Sequence, residues 1–264
     1  MLDRIMTKAR LCRAFETLAY ENIEKKNINV PTYLSAGQEM IAATLSCVCE
    51  DLNIQPMIFA QHRGHSIYLS FGGNITELID ELLSKPTGCA GGMGGSASIH
   101  CPEIGMYGHD GLMGSNAPIG VGACFASQKP TIIFLGDAAG EEDYALASYG
   151  WAATKNLPIL FVIEDNNLSI LTEKSTRRNW EIFDVASAMN LDSACLEDDP
   201  NEIIKACDGK LFQTPMLLNI KTNRKFWHAG AGTDGVVPDR LALTNIKSEV
   251  EYLRTLWESR LETK

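Results

Sequence analysis

Asp137 and Asn166 are the residues whose placement first suggests chemistry. Each closes an oily run, "TIIFLGDAAG" (131–140) in one case and "ILFVIEDNN" (159–167) in the other. If the runs are parallel strands, their carboxyl ends are where such a sheet binds ligands. The stretch between them has the length and pattern of one crossover helix, so the strands are expected to be neighbours and the two side chains to converge. A carboxylate oxygen, an amide oxygen and a main-chain carbonyl are hard ligands suited to Mg²⁺ or Ca²⁺, which usually bring phosphate oxygens with them. Asp and Asn are equally common as helix caps and turn formers, so spacing alone leaves both readings open.

The elements that must position them follow from periodicity. Apolar spacing predicts helices over 3–25 and 37–50, a short buried strand at 56–61, and an amphipathic helix over 75–84 opened by Asn74 or Thr76 and stopped before Pro86. Beyond the strand–helix–strand unit of 131–165, helices are expected near 181–189 and 201–207, a strand at 215–222, and an amphipathic helix within 239–264. Alternating strands and helices, with strands too uniformly apolar for one-sided burial, predict an α/β fold: a mostly parallel sheet with helices on both faces. Between 86 and 122 glycine recurs every few residues, marking backbone that turns tightly or is closely approached. No repeat or linker divides residues 1–264, so a single domain is expected.

Composition narrows the function classes. A formal charge of −10 argues against nucleic acid or an anionic membrane as partner, and no run is apolar enough to span a bilayer. Charge mixed through the N-terminal residues does not fit a secretory signal, and the expectation is a cytoplasmic chain. The eight cysteines form no CxxC pair and no ligand cluster, which suits reduced, buried thiols. A literal G-x-G-x-x-G at Gly230, Gly232 and Gly235 follows no strand and opens no helix, so it is not read as a dinucleotide site.

"GDA", a helix, an apolar strand and "DNN" together resemble the thiamine-diphosphate signature, in which Gly-Asp-Gly is followed by Asn-Asn. Further segments resemble alpha subunits of the decarboxylating component of 2-oxo-acid dehydrogenases, in the same order. They are "YLSAGQEM" (33–40), "AQHRGHSIYLSFGG" (60–73), "GCAGGMGGSASIH" (88–100), "GLMGSNAPIGVGAC" (111–124) and "KTNRKFWHAGAGTDG" (221–235). The resemblance implies a thiamine-diphosphate-binding fold and thiamine diphosphate with Mg²⁺ as cofactors. It implies Asp137, Asn166 and the main chain of Leu168 as metal ligands. For the cofactor it implies the Arg63 fork and His62 on the diphosphate, Gly111 and Met113 against the aminopyrimidine, and the amides of Ala138 and Ala139 at a helix N-terminus. His228 and His65 are implied as groups that move protons or stabilise oxygen charge near the substrate, and Tyr33 as a substrate contact. Ala138 departs from the family glycine, and is tolerable where the local φ is negative. Tyr33 stands where pyruvate-specific members have histidine, and His62 where the family has tyrosine.

In two-gene members a beta subunit supplies the glutamate that activates the cofactor. The resemblance therefore implies half an active site, completed by a homologous beta subunit in an α2β2 assembly and acting on a pyruvate-like 2-oxo acid. Two alternatives stay open: a split, transketolase-like carboligase that adds a two-carbon unit to an aldehyde or keto sugar, and an inactive scaffold homologue.

Overall fold

The computed structural model describes residues 1–233 and 239–262. Asp234 and Gly235, which end the last of the resembling segments, lie outside the described residues. The helices are α1 (Leu2–Glu24), α2 (Glu39–Asp51), α3 (His65–Ser70), α4 (Ile75–Leu82), α5 (Asn116–Ser127), α6 (Asp143–Thr154), α7 (Lys174–Arg177), α8 (Ile182–Ala188), α9 (Pro200–Cys207) and α10 (Lys247–Glu262). The strands are β1 (Met57–Phe59), β2 (Met106–Tyr107), β3 (Thr131–Gly136), β4 (Ile159–Asp165), β5 (Leu168–Ser169), β6 (Thr172–Glu173), β7 (Asp192–Glu197) and β8 (Met216–Lys221).

Six strands form one parallel sheet in the order β2-β1-β3-β4-β8-β7, and β5 and β6 make a small antiparallel hairpin. The central strands are buried on both faces. Ile132, Phe134, Leu160 and Val162 join the core under α1, α2 and α4, while Ile133, Leu135, Phe161 and Ile163 join the core under α5, α6 and α8. This two-sided burial explains why the runs are uniformly apolar. From β1 the chain moves to β2 on one side, then returns through α5 to β3 on the other. The carboxyl ends of β1 and β3 therefore flank a topological switch point, where open α/β sheets leave a crevice.

Local chemistry sets the helix ends. Asn74 caps α4, its side-chain oxygen accepting the amides of Thr76 at 2.8 Å and Glu77 at 3.4 Å. Asp199 likewise caps α9 through the amide of Asn201 at 2.8 Å, with Pro200 in the first turn. Helices α3 and α7, strand β2 and the β5–β6 hairpin are not placed by the sequence reading, and two further elements differ for a clear reason. Part of the glycine-dense region is the helix α5: a Cβ at Gly120 would sit 2.6 Å from the Ile133 side chain, so glycine there permits close packing on β3 rather than a turn. Strand β7 was not expected, because "DSACLE" is polar and lies at the sheet edge. Among the described residues no helix is long and apolar enough to cross a membrane.

Candidate functional site

A cavity of about 220 Å³ opens at the switch point. Gln61 and His62 line it after β1, Gly136 to Ala139 at the end of β3, and Asn166 with Leu168 to Ile170 after β4, with Met113 and His228 completing the wall. Strands β3 and β4 are paired in register, Gly136 opposite Glu164, so their ends deliver Asp137 and Asn166 side by side. Asp137 is 1% exposed. Its Oδ2 is ion-paired with Arg177, its carbonyl accepts from Arg178 at 2.9 Å, and its Oδ1 takes part in no hydrogen bond among the described residues. Burial pushes the Asp137 carboxyl above the usual carboxylate range, with Arg177 pulling it back and Asp165 adding to the rise.

Asn166 folds its side chain into a turn, Oδ1 accepting the Leu168 amide at 3.1 Å. The next residue, Asn167, is exposed in the left-handed region at φ 67° and is not part of the wall. Ala138 adopts φ −78°, where a methyl group carries no strain, so its departure from glycine is sterically neutral for the backbone. The amides of Ala138 and Ala139 do not open α6, however. They lead into a single 3₁₀ turn, Ala139–Glu141, and α6 starts only at Asp143, so the dipole of a long helix does not stand behind them.

The end of β1 differs more from expectation. Arg63 is 3% exposed and is not part of the cavity wall; its fork donates to the carbonyls of Leu34 at 2.8 Å and His228 at 3.3 Å. It braces two loops behind the site instead of presenting its donors to the cavity. His65 is 0% exposed, with Nδ1 3.1 Å from Glu16 and Nε2 2.8 Å from the hydroxyl of Ser96. Both ring nitrogens are engaged away from the cavity, a geometry that suits a brace rather than a group exchanging protons with a bound molecule. Tyr33, whose amide donates to that Ser96 hydroxyl at 2.8 Å, packs edge-on against His62 and His228 with ring centroids 4.8 and 5.4 Å away. It supports two wall residues from behind.

His109 belongs to the same cluster and is not singled out by the sequence motifs. It is 5% exposed, its ring centroid is 6.0 Å from that of His62, and its Nδ1 accepts the Gly111 amide at 2.9 Å. A histidine inside "YGHDGLMG" was the one available signal. The bond holds Gly111 at φ +93°, a left-handed conformation that favours glycine, and so sets the approach to Met113 in the wall. Gln61 was also missed; it lines the cavity and donates to Glu164, whose carboxyl burial pushes up to about 7.

His62 carries a testable pH dependence. Burial, with help from Arg63 and the neighbouring histidines, pushes its imidazole down to about 2, and its Nε2 is buried without a hydrogen-bond partner among the described residues. The unfolded chain binds a proton at this residue below the ordinary value near 6.5 whereas the folded chain does not. Its contribution to stability is therefore complete above about pH 6.5 and is lost as the pH falls toward about 2, at up to about 1.4 kcal/mol per pH unit. In urea unfolding at pH 7 and pH 5, wild type is expected to lose more stability than His62→Tyr, which does not titrate there. Equal losses would remove this account.

Comparisons with known proteins agree with the geometry. The family model described as dehydrogenase E1 component matches residues 6–228. The alpha subunit of the pyruvate dehydrogenase E1 component from Solanum tuberosum mitochondria is 25% identical over 260 residues, covering 92% of this chain and 65% of that protein. The alpha subunit of acetoin:2,6-dichlorophenolindophenol oxidoreductase from Cupriavidus necator is 32% identical over 181 residues, covering 67% of this chain and 52% of that protein. The chain thus spans less than two thirds of the length of either relative. Among solved structures, transketolase from Campylobacter jejuni superposes with a TM-score of 0.63 at 15% identity, covering 97% of this chain and 48% of that one, which shows a shared fold. With most of its length matched and its strand ends arranged as described, the chain belongs to the dehydrogenase E1 component family.

Proposed function

We propose that this chain is the alpha subunit of a two-chain enzyme that uses thiamine diphosphate and Mg²⁺ to decarboxylate a pyruvate-like 2-oxo acid and transfer the resulting acyl or two-carbon unit. The observation that carries the reading is the convergence of Asp137, Asn166 and Leu168 on one cavity at the switch point. Among the described residues no cluster of three His, Cys, Asp or Glu is placed to hold a metal. A cation here would be held by one carboxylate, an amide oxygen and a carbonyl together with diphosphate oxygens, the all-oxygen ligand set Mg²⁺ favours. Asp137 fits that role because its Oδ1 is not engaged by any described residue.

When bound, thiamine diphosphate supplies the chemistry that accepts electrons from the decarboxylating carbon. The chain's own residues bind, orient and exclude water. Gly136, Ala138 and Ala139 offer a wall with little side chain, and Met113 an apolar contact. His228 and His62 bring imidazoles into the wall, and we assign His228 the proton-handling role near the substrate. His62 stays neutral over the working range, which suits it to hydrogen bonding without adding charge.

The two-chain reading is supported by the rim. Leu112, Ile170 and Leu171, close to the cavity, are 60%, 56% and 76% exposed, an apolar surface that a homologous beta subunit would cover. The wall described above contains no glutamate, and we assign the cofactor-activating carboxylate to that partner in an α2β2 assembly.

Product analysis of the pair reconstituted with its beta subunit, given pyruvate with and without an aldehyde acceptor, separates the possibilities. The expected result is CO₂ release with either reductive acylation of a dithiolane, or two-electron reduction of a dye and release of the acyl unit to water as a carboxylate. Carbon–carbon bond formation only when an aldehyde is present would favour the carboligase alternative. No Mg²⁺-dependent binding of thiamine diphosphate would leave the scaffold reading.

A further inference from the structure

The Asp137 carboxylate is already partnered by a cation of the protein itself. Arg177 donates to Asp137 Oδ2, to Glu141 Oε1 at 2.8 Å and to the Thr172 carbonyl at 2.6 Å. Arg178 donates to the Asp137 carbonyl at 2.9 Å and to the other oxygen of Glu141. The side chains are little exposed, 13% for Arg177, 2% for Asp137, 1% for Arg178 and 18% for Glu141, so their charges are poorly screened by solvent. Two guanidinium groups and two carboxylates make the cluster formally neutral. Arg177 closes α7, which directly follows the hairpin carrying Leu168, Ser169 and Ile170 in the cavity wall.

We infer that Arg177 is a positioning and charge-setting residue that makes a divalent cation at this cavity depend on the anionic group that arrives with it. The inference rests on the cation site proposed above. Arg177 holds Oδ2 and leaves Oδ1 for the ion, but it also cancels the only negative charge among the three proposed ligands. Cation affinity rises steeply with the negative charge of the ligand set. A neutral cluster therefore binds the ion weakly, and a diphosphate supplies the missing charge, so the two bind as a unit. Glu141 works in the opposite direction by compensating Arg177 and Arg178.

The signature is a pair of opposite effects. Mn²⁺ binding to the chain reconstituted with its beta subunit would be followed by electron paramagnetic resonance, alone and with thiamine diphosphate. Arg177→Gln is expected to tighten Mn²⁺ binding in the absence of the diphosphate by about 10-fold and to shrink the gain that the diphosphate brings. Glu141→Gln is expected to weaken Mn²⁺ binding, since it leaves the arginines uncompensated. A merely structural role would weaken both variants. Binding by Arg177→Gln that is unchanged or weaker, with unfolding like wild type, overturns the inference. If Arg177→Gln does not fold, Glu141→Gln decides, and unchanged or tighter binding by it overturns the inference. Wild type that binds no Mn²⁺ even with thiamine diphosphate overturns the cation site itself, a result distinct from either.

Discussion

Asp137→Ala is expected to lower the affinity of the reconstituted pair for thiamine diphosphate in the presence of Mg²⁺ by at least about 100-fold, beyond the range typical of residues that only support a metal ligand. Two effects act together. The substitution removes the only anionic oxygen among Asp137, Asn166 and the Leu168 carbonyl, and it leaves Arg177, Arg178 and Glu141 with a net positive charge beside the cavity. That charge repels the cation whose ligand has gone. Asp137→Asn keeps an oxygen in place but produces the same charge imbalance, so most of the loss should persist. The fold should survive either change, because the β3 ladder ends at Gly136 and Arg177 retains Glu141 and the Thr172 carbonyl. Calorimetric titration with far-ultraviolet circular dichroism as the folding control checks this. Affinity within about three-fold of wild type would remove Asp137 from the site.

The strand ends were legible because their chemistry is local. Two-sided burial erases the alternation of a strand, and the switch from Leu135 or Ile163 to acid and amide residues marks where the apolar run ends, although Asp137, Glu164 and Asp165 are themselves buried. What lay within one βαβ unit could be placed from spacing, including the neighbouring of β3 and β4. The partners of those residues could not, since Arg177 meets Asp137 across 40 positions and Gln61 meets Glu164 across 103. No local pattern encodes such pairs; only the packed sheet does. Arg63 and His65 show the converse. Charge and imidazole beside a strand end read as ligand donors, but the fold turns both inward, Arg63 onto two carbonyls and His65 onto Glu16 and Ser96. Helix α5 was hidden for a third reason: glycine signals a turn in a sequence, and here Gly120 serves helix packing.

Glu81→Gln is expected to destabilise the chain by at least about 3 kcal/mol, a large effect for the loss of one charge. The glycine-dense loop that reads as a place of close approach is approached by this carboxylate. Glu81, on α4 and 0% exposed, accepts the amides of Ala90 at 2.7 Å and Gly92 at 2.9 Å on one oxygen, and of Gly94 at 2.8 Å and Gly95 at 2.9 Å on the other. Four backbone donors converge because Gly91, Gly92 and Gly95 take positive φ, which ordinary side chains resist. A carboxylate satisfies all four, and charge-assisted bonds are the stronger kind. Glutamine cannot, because its amide group would face two donors with donors of its own, leaving them unsatisfied in a buried place. Alanine would strand all four. The consequence reaches the cavity through Ser96, which follows Gly95 and holds both His65 and the amide of Tyr33, the ring packed behind His62 and His228. Urea unfolding should therefore show the stability loss. Hydrogen exchange should show the amides of 90–95 opening first, and cofactor affinity should fall less than in Asp137→Ala because no ligand is removed. A Glu81→Gln variant with stability within about 0.5 kcal/mol of wild type, the range of an ordinary surface change, would mean the loop holds its shape without the carboxylate.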